Sequence, residues 1–460
     1  MDFKEPYEKL VTAPRDFATG VSFPDPARIK IVDCTLRDGE QMAGIAISPE
    51  NKYKIIRALN DIGVHAVEIG FPHASADEKR TLQLAVQGKE RGELREDLDL
   101  VVVCRSARAD IDSALQALED IDVDAGEVTF AIFTSGSDLH LKYKIGKTLL
   151  RLHGREEDEQ LETGLDFFRD ANVKLFGDAI RYARSKGTRR VQIVAEDVSR
   201  ANLDYIIGLY QEGIRAGGFR PGFTDTVGCG IPQSIAHYAR KLVEALPDSE
   251  LYTHFHNDYG LATINTLTAM SQGVEVFSCT VNGIGERAGN ASLHQVVVAL
   301  RWLYGVELPG FKYEQLRRLS TLVERHSGIP LSVNEPVVGP NVFTHESGVH
   351  TAGVLIDPRI YEAIPATAVG SLTRYLYGKH SGTQIVQFAL EKHARALAQK
   401  GITVDDGLVH KVTQEVKLAR EQLAATDHAE RIVDEVISAV NRLGLTDQDV
   451  YDIALAVASR

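Results

Sequence analysis

Short β-branched runs alternate with segments of helical period along the first two thirds of the chain. The runs fall at 29–33, 66–69, 100–104, 128–133, 190–194, 222–225, 252–256 and 276–280. Stretches such as 51–61 and 111–118 between them repeat their apolar residues with a helical spacing. Eight apolar strands alternating with helices predict an α/β fold, a parallel sheet closed as a (β/α)8 TIM barrel. The competing open, doubly wound sheet would carry a GxGxxG turn after its first strand, and none is present.

One gap breaks this rhythm. Strands four and five stand about 60 residues apart, roughly twice a usual βα unit. The excess, 149–173, contains the run RLHGREEDEQLETGLDFF, which is charged and helix-compatible, and predicts a solvated excursion over the barrel mouth. Past Tyr304 the strand pattern stops. Residues 305–329 read as a linker and a helix, 330–381 as loop-rich, and 405–460 as amphipathic helices. The expected organisation is an N-terminal arm (1–28), the barrel (29–304), a post-barrel segment (305–390) and a smaller, mainly helical C-terminal region (391–460). No internal repeat stands out.

Composition narrows the class. Of 460 residues, 44% are hydrophobic and 25% charged, ordinary for a globular protein and unlike a disordered or collagenous chain. No run of 18 apolar residues predicts a spanning helix, and the polar start MDFKEPYEKL does not read as a signal peptide. The four cysteines (Cys34, Cys104, Cys229, Cys279) form no CxxC pair, which fits reduced thiols and a cytoplasmic location. A net charge of −13 without a basic block argues against nucleic-acid or membrane partners. It does not exclude an anionic small substrate, because the charge of a site is local.

Three constellations carry chemistry. The first, DCTLRDGEQ (33–41), sits at the C-terminal end of the first strand, the catalytic end of a barrel. There Asp38 can ligate a divalent metal, and Arg37 can grip a substrate carboxylate with two parallel hydrogen bonds. A buried ion pair closing the barrel is the structural alternative. The second is His254-Phe255-His256-Asn257-Asp258. Alternation along a strand puts His254 and His256 on one face, a metal-ligand arrangement with Asn and Asp behind it. With Asp38 they form a two-histidine, one-carboxylate set suited to Mg, Mn, Fe, Co or Zn, leaving positions open for substrate. The third is NGIGERAGN (282–290) after the last strand. Such a glycine-rich loop can cradle a phosphate or bring the Asn290 amide to the metal.

Together these motifs resemble the acyl-CoA-condensing branch of the metal-dependent barrel lyases: 2-isopropylmalate, homocitrate and citramalate synthases. The resemblance runs from about residue 29 to 381, through DCTLRDGEQ, VEIGFP, SDLHLKYK, DTVG, HFHNDYGLA, NGIGERAGNASL, FTHESGVH and GKHSG. It implies metal ligation by Asp38, His254, His256 and Asn290, and a substrate carboxylate held by Arg37 and Thr226. Glu196 falls on a family glutamate near the metal and acyl group, and Glu40 and Gln41 on residues lining the site. His350 falls on the post-barrel histidine that serves proton removal from the acetyl methyl, and Tyr361 on its tyrosine partner. His345 and His380 rank behind it. The implied reaction is condensation of acetyl-CoA with a 2-oxo acid to a 2-substituted malate and CoA, in a homodimer.

The chain also departs from that pattern. Only about 80 residues follow GKHSG, and they fit helices rather than the leucine-sensing module of isopropylmalate synthases. The strand-five arginine of lysine-pathway homocitrate synthases is absent, the stretch reading Gln192-Ile193-Val194. His73, Arg105 and His140 are expected at the barrel mouth, which raises an anionic far end on the oxo acid, as in oxaloacetate, 2-oxoglutarate or a phosphono- or phosphinopyruvate. Otherwise Arg105 would pair with Asp138 or Glu68. Three other activities compete: a metal-dependent carbon–carbon lyase or aldolase, which would not need the 343–361 segment; a carboxyltransferase, which would need a strand-five lysine; and a non-catalytic barrel.

Overall fold

A computed structural model describes residues 20–424, together with residues 432, 435 and 436. The arm expected over 1–28 and the helices expected over 405–460 therefore lie partly outside the described residues. The structure forms two compact units, one ending at Lys312 and the other beginning at Tyr313.

The first unit is a closed barrel whose eight strands pair in chain order, each parallel to its neighbours. The strands are β1 (Lys30–Asp33), β2 (Ala66–Gly70), β3 (Asp99–Arg105), β4 (Thr129–Ser135), β5 (Arg190–Glu196), β6 (Phe219–Asp225), β7 (Tyr252–Phe255) and β8 (Val276–Cys279). All eight predicted strands are present. β1 pairs with β8 through Lys30↔Val276 to Asp33↔Cys279, which closes the cylinder. Val32, Ala66, Val101, Ala131, Tyr252 and Val276 meet in its buried interior. Arg220, almost fully buried, bonds Asp99 and Glu250, so its charge is neutralised.

The helices between the strands follow local rules. Pro49–Ile62 starts with Pro in its first turn and ends at Gly63, φ +102°. A Cβ on Gly63 would lie 2.8 Å from the Gly310 carbonyl oxygen, so the turn requires glycine on two counts.

The excursion after β4 is helical. It contains a π-helical turn (His140–Lys144), a short helix (Gly146–Leu152) and a long helix (Leu165–Ser185). Leu141, Leu149, Leu150, Phe168 and Ala171 form a buried cluster of their own. The solvated reading did not foresee that cluster, because the charged residues share the sequence with the apolar face rather than replacing it.

The second unit carries helices Leu316–Ser327, Gly348–Ile356, Thr383–Lys392 and Asp406–Ala424. It also carries a two-stranded parallel pair, β9 (Thr344–His345) and β10 (Arg374–Tyr375), which the loop-rich reading of 330–381 did not foresee. Strands of two residues are too short to show a period.

Candidate active site

The C-terminal ends of the strands surround a cavity of about 310 Å³. Asp38 follows β1, His254 is the last residue but one of β7, and His256 lies just beyond that strand. One ligand atom from each of the three falls within 4.8 Å of the others. His254 Nε2 is 3.4 Å and His256 Nε2 3.8 Å from Asp38 Oδ2. His254 Nδ1 bonds Ser278 Oγ at 2.9 Å, which fixes the ring with Nε2 turned to Asp38. The loop after β8 brings Asn290 to the same carboxylate, its Nδ2 donating to Asp38 Oδ1 at 2.8 Å. A Cβ on Gly285 would sit 2.1 Å from Asn290 Nδ2 and 2.9 Å from Asp38 Oδ1, so this approach requires glycine there. The four residues proposed from sequence as ligands are thus neighbours.

Two observations fit this cluster to a cation. The buried His256 Nδ1 and Asn290 Oδ1 have no hydrogen-bond partner among the described residues. The charge states of Asp38 and His256 also suit ligands. Burial alone would raise the Asp38 carboxyl, but Arg37 and the imidazoles outweigh it and hold the group well below the usual carboxylate range. Burial, aided by His254, pulls the His256 imidazole down to about 4, keeping it neutral.

Arg37 bridges two acids. Its Nε donates to Glu68 Oε2 and its Nη1 to Asp38 Oδ2, both at 2.6 Å. Glu68, nearly fully buried, also accepts from the Tyr252 hydroxyl at 3.0 Å. Among the described residues Arg37 Nη2 has no partner, and Arg37 lines the cavity. Glu68 was missed as a site residue, although a lone acid inside the apolar run of β2 is the signal that could have found it.

The other candidates separate. Thr226, Glu196 and Gln41 line the cavity. Thr226 Oγ1 accepts from Asp197 N at 2.8 Å, which fixes the hydroxyl while leaving its proton free to donate. Glu196 is paired with Lys144. Arg105, His73 and His140 do not line the cavity. Arg105 makes a two-bond fork to the buried Asp110, at 2.8 and 2.9 Å, and His73 Nε2 lies 3.8 Å from the same carboxylate. His140 Nε2 is 3.6 Å from Asp197. Neither acid expected to pair with Arg105 does so: Asp138 holds Arg169 and Glu68 holds Arg37. Arg105 is instead held by Asp110, in the first turn of the next helix, and none of the three is among the residues lining the cavity.

Apolar side chains stand there instead. Phe71, Val103, Ala131, Phe133 and Val194, from β2 through β5, line the cavity. In an eight-strand cylinder β3 to β5 face β7, β8 and β1, which carry the metal set. Periodicity marked these residues only as barrel interior.

In the second unit, His350 and Tyr361 stack with ring centroids 4.2 Å apart and planes at 22°. His345, buried, bonds Glu362 at 3.3 Å. His380 is exposed, and its carbonyl accepts from Gly348 N.

Comparison with known proteins agrees with this construction. Residues 28–159 and 157–323 match the HMGL-like family, and 337–423 match the homocitrate synthase post-HMGL domain-like family. A putative (R)-citramalate synthase from Methanopyrus kandleri is 37% identical over 90% of this chain and 72% of its own. A probable 2-isopropylmalate synthase from that organism is also 37% identical, over 85% and 70%. A homocitrate synthase from it is 36% identical over 90% and 94%. Among solved structures, the HMG-CoA lyase of Bacillus subtilis shares the fold at a TM-score of 0.51, with 19% identity over 68% of this chain and 97% of its own.

Proposed function

The chain belongs to the HMGL-like family, and from that premise we propose that it condenses acetyl-CoA with a 2-oxo acid whose side chain is short and apolar. It is an enzyme of the acyltransferase class in which the acyl group becomes an alkyl group on transfer. Water completes the balance: acetyl-CoA, 2-oxo acid and water give a 2-substituted malate and CoA.

Asp38, His254, His256 and Asn290 are the residues that would hold a divalent cation. Such an ion supplies Lewis-acid polarisation of the keto group. Arg37, fixed by Glu68, presents its free Nη2 to the substrate carboxylate. The Thr226 hydroxyl donates to the same group. His350, stacked on Tyr361, takes a proton from the acetyl methyl, and the resulting enol carbon attacks the keto carbon. Glu196, held by Lys144, sits in the cavity wall where the acyl group arrives.

The observation that carries the substrate class is the apolar wall across from the metal set. A carboxylate or phosphonate directed at Val103, Phe133 and Val194 would be desolvated against apolar side chains, and the Arg105 guanidinium over the Phe71 ring is already held by Asp110. A methyl, ethyl or isopropyl group would be buried favourably. A lyase reading has less support, because the homocitrate synthase relative matches 90% of the chain and the post-barrel segment matches the homocitrate synthase post-HMGL domain-like family.

The test is release of CoA thiol from acetyl-CoA, with Mn²⁺, across a panel of oxo acids. Pyruvate, 2-oxobutanoate and 2-oxoisovalerate should exceed oxaloacetate, 2-oxoglutarate and phosphonopyruvate in kcat/KM by roughly a hundredfold. A preference for an anionic member would overturn the substrate class, and no thiol with any of them would overturn the reaction.

A further inference from the structure

Helix Pro49–Ile62 buries a lysine. Lys52 is 1% exposed, and its ammonium is paired with two carboxylates, Glu40 and Glu78. A buried cation without both partners would be costly. The arrangement goes further than charge balance, because each carboxylate spends its second oxygen on a backbone N–H. Glu40 Oε1 accepts from Ile47 N and Glu78 Oε2 from Phe71 N, both at 2.8 Å. All four carboxylate oxygens are thereby used.

The two segments so tied line the cavity. Glu40 belongs to the turn Gly39–Gln41, directly after Arg37 and Asp38, and Gln41 faces the cavity. Phe71 is the β2 contribution to the apolar wall. Gly70 makes room for the link: its φ is +152°, and a Cβ there would fall 1.6 Å from Glu78 Oε2. Any other residue would displace the carboxylate that holds Phe71.

We propose that Lys52 is a positioning residue for the oxo-acid pocket, fixing through Glu40 and Glu78 both the turn beside the metal ligands and the Phe71 wall. This role in selectivity rests on the condensation reading above. Lys52 touches no substrate. It acts by making the two segments share one charge, so neither can shift without unpairing the other.

The experiment uses the full chain with Lys52→Met, Lys52→Arg, Glu78→Ala and Glu78→Gln. Two quantities are read: the ratio of kcat/KM for 2-oxoisovalerate to that for pyruvate, and hydrogen exchange of peptides containing Ile47 and Phe71. Glu78→Ala removes the acceptor for Phe71 N and should shift the ratio by about tenfold, with the acetyl-CoA KM changed less than about twofold. Glu78→Gln keeps an acceptor oxygen and should recover most of the ratio. Lys52→Met should speed exchange in both peptides together, by about tenfold or more, and Lys52→Arg by less. If Lys52→Met does not fold, the two Glu78 variants decide, since that side chain is partly exposed. Unchanged exchange in a folded variant overturns the clamp, and faster exchange with an unchanged ratio overturns its role in selectivity. If the wild type releases no thiol with any oxo acid, the condensation reading and the role in selectivity fail together, while the exchange data still decide the clamp.

Discussion

His350 lies against Tyr361 face to face, 4.2 Å between centroids, and Gly353 is what permits it. A Cβ on Gly353 would come within 2.6 Å of the Tyr361 ring. His350 and Gly353 are three positions apart on one helix, so both point to the same side. Replacing His350 with Ala should leave metal content intact and lower turnover by roughly 10²–10⁴, the scale of lost general acid–base help. Tyr361→Phe should cost less, and Gly353→Ala should fall between them by pushing the ring away. Exchange of deuterium into the acetyl-CoA methyl isolates this step. Wild-type exchange in His350→Ala would move the base elsewhere, with His345 the next candidate.

The metal set makes a separable prediction. Ala at Asp38, His254 or His256 removes one of few protein ligands and should abolish most metal binding, read by calorimetry with Mn²⁺. Gly285→Ala should weaken binding through geometry alone, roughly 10–100-fold, because its methyl group would drive the Asn290 amide off Asp38. EDTA should stop turnover and added divalent ion restore it. Full activity of a metal-free preparation would refute the assignment.

The barrel was legible because β-branched runs and helical periods alternate so regularly, and the Asp38, His254 and His256 cluster because the two histidines alternate with Phe255. The partners of charged side chains were not legible. Arg105 sits at a strand end beside several acids, and only the path of the chain shows that Asp110 reaches it first. The same holds for Glu68, whose burial inside β2 makes it the anchor of Arg37. Sequence spacing reports which face a residue occupies, not which of several charges lies within 3 Å.

Arg105 supplies the next test. Its guanidinium satisfies a fully buried Asp110, so Arg105→Ala should reduce stability by about 1–3 kcal/mol through an unpaired buried acceptor. Since its guanidinium is held by Asp110 and is not among the groups lining the cavity, the KM for the oxo acid should stay within about twofold, read alongside thermal unfolding. A large rise in that KM with unchanged stability would restore the idea of a cation at the substrate's far end.

The last prediction concerns acid stability and the opposite end of the barrel. His65 precedes β2 and accepts a hydrogen bond from Ile31 N at Nδ1, 3.1 Å, while its own N–H donates to Ile31 O at 3.0 Å. This pair of bonds joins β1 to the start of β2 and requires an unprotonated Nδ1. Burial, followed by the positive charges of Arg95 and Lys30, pulls the imidazole down to about 4 from its ordinary 6.5. The sign follows from linkage. The unfolded chain binds a proton at His65 below about pH 6.5, whereas the folded chain does so only near pH 4. The stabilisation is therefore complete above the unfolded value and is lost progressively as pH falls from about 6.5 to 4. The loss amounts to at most about 3 kcal/mol, since one pKa unit corresponds to about 1.4 kcal/mol. Urea unfolding at pH 7.5, 5.5 and 4.5 measures it. His65→Gln, which keeps an acceptor but cannot take up the proton, should flatten the slope over that window. A variant with the wild-type slope would show that the acid sensitivity arises at another group.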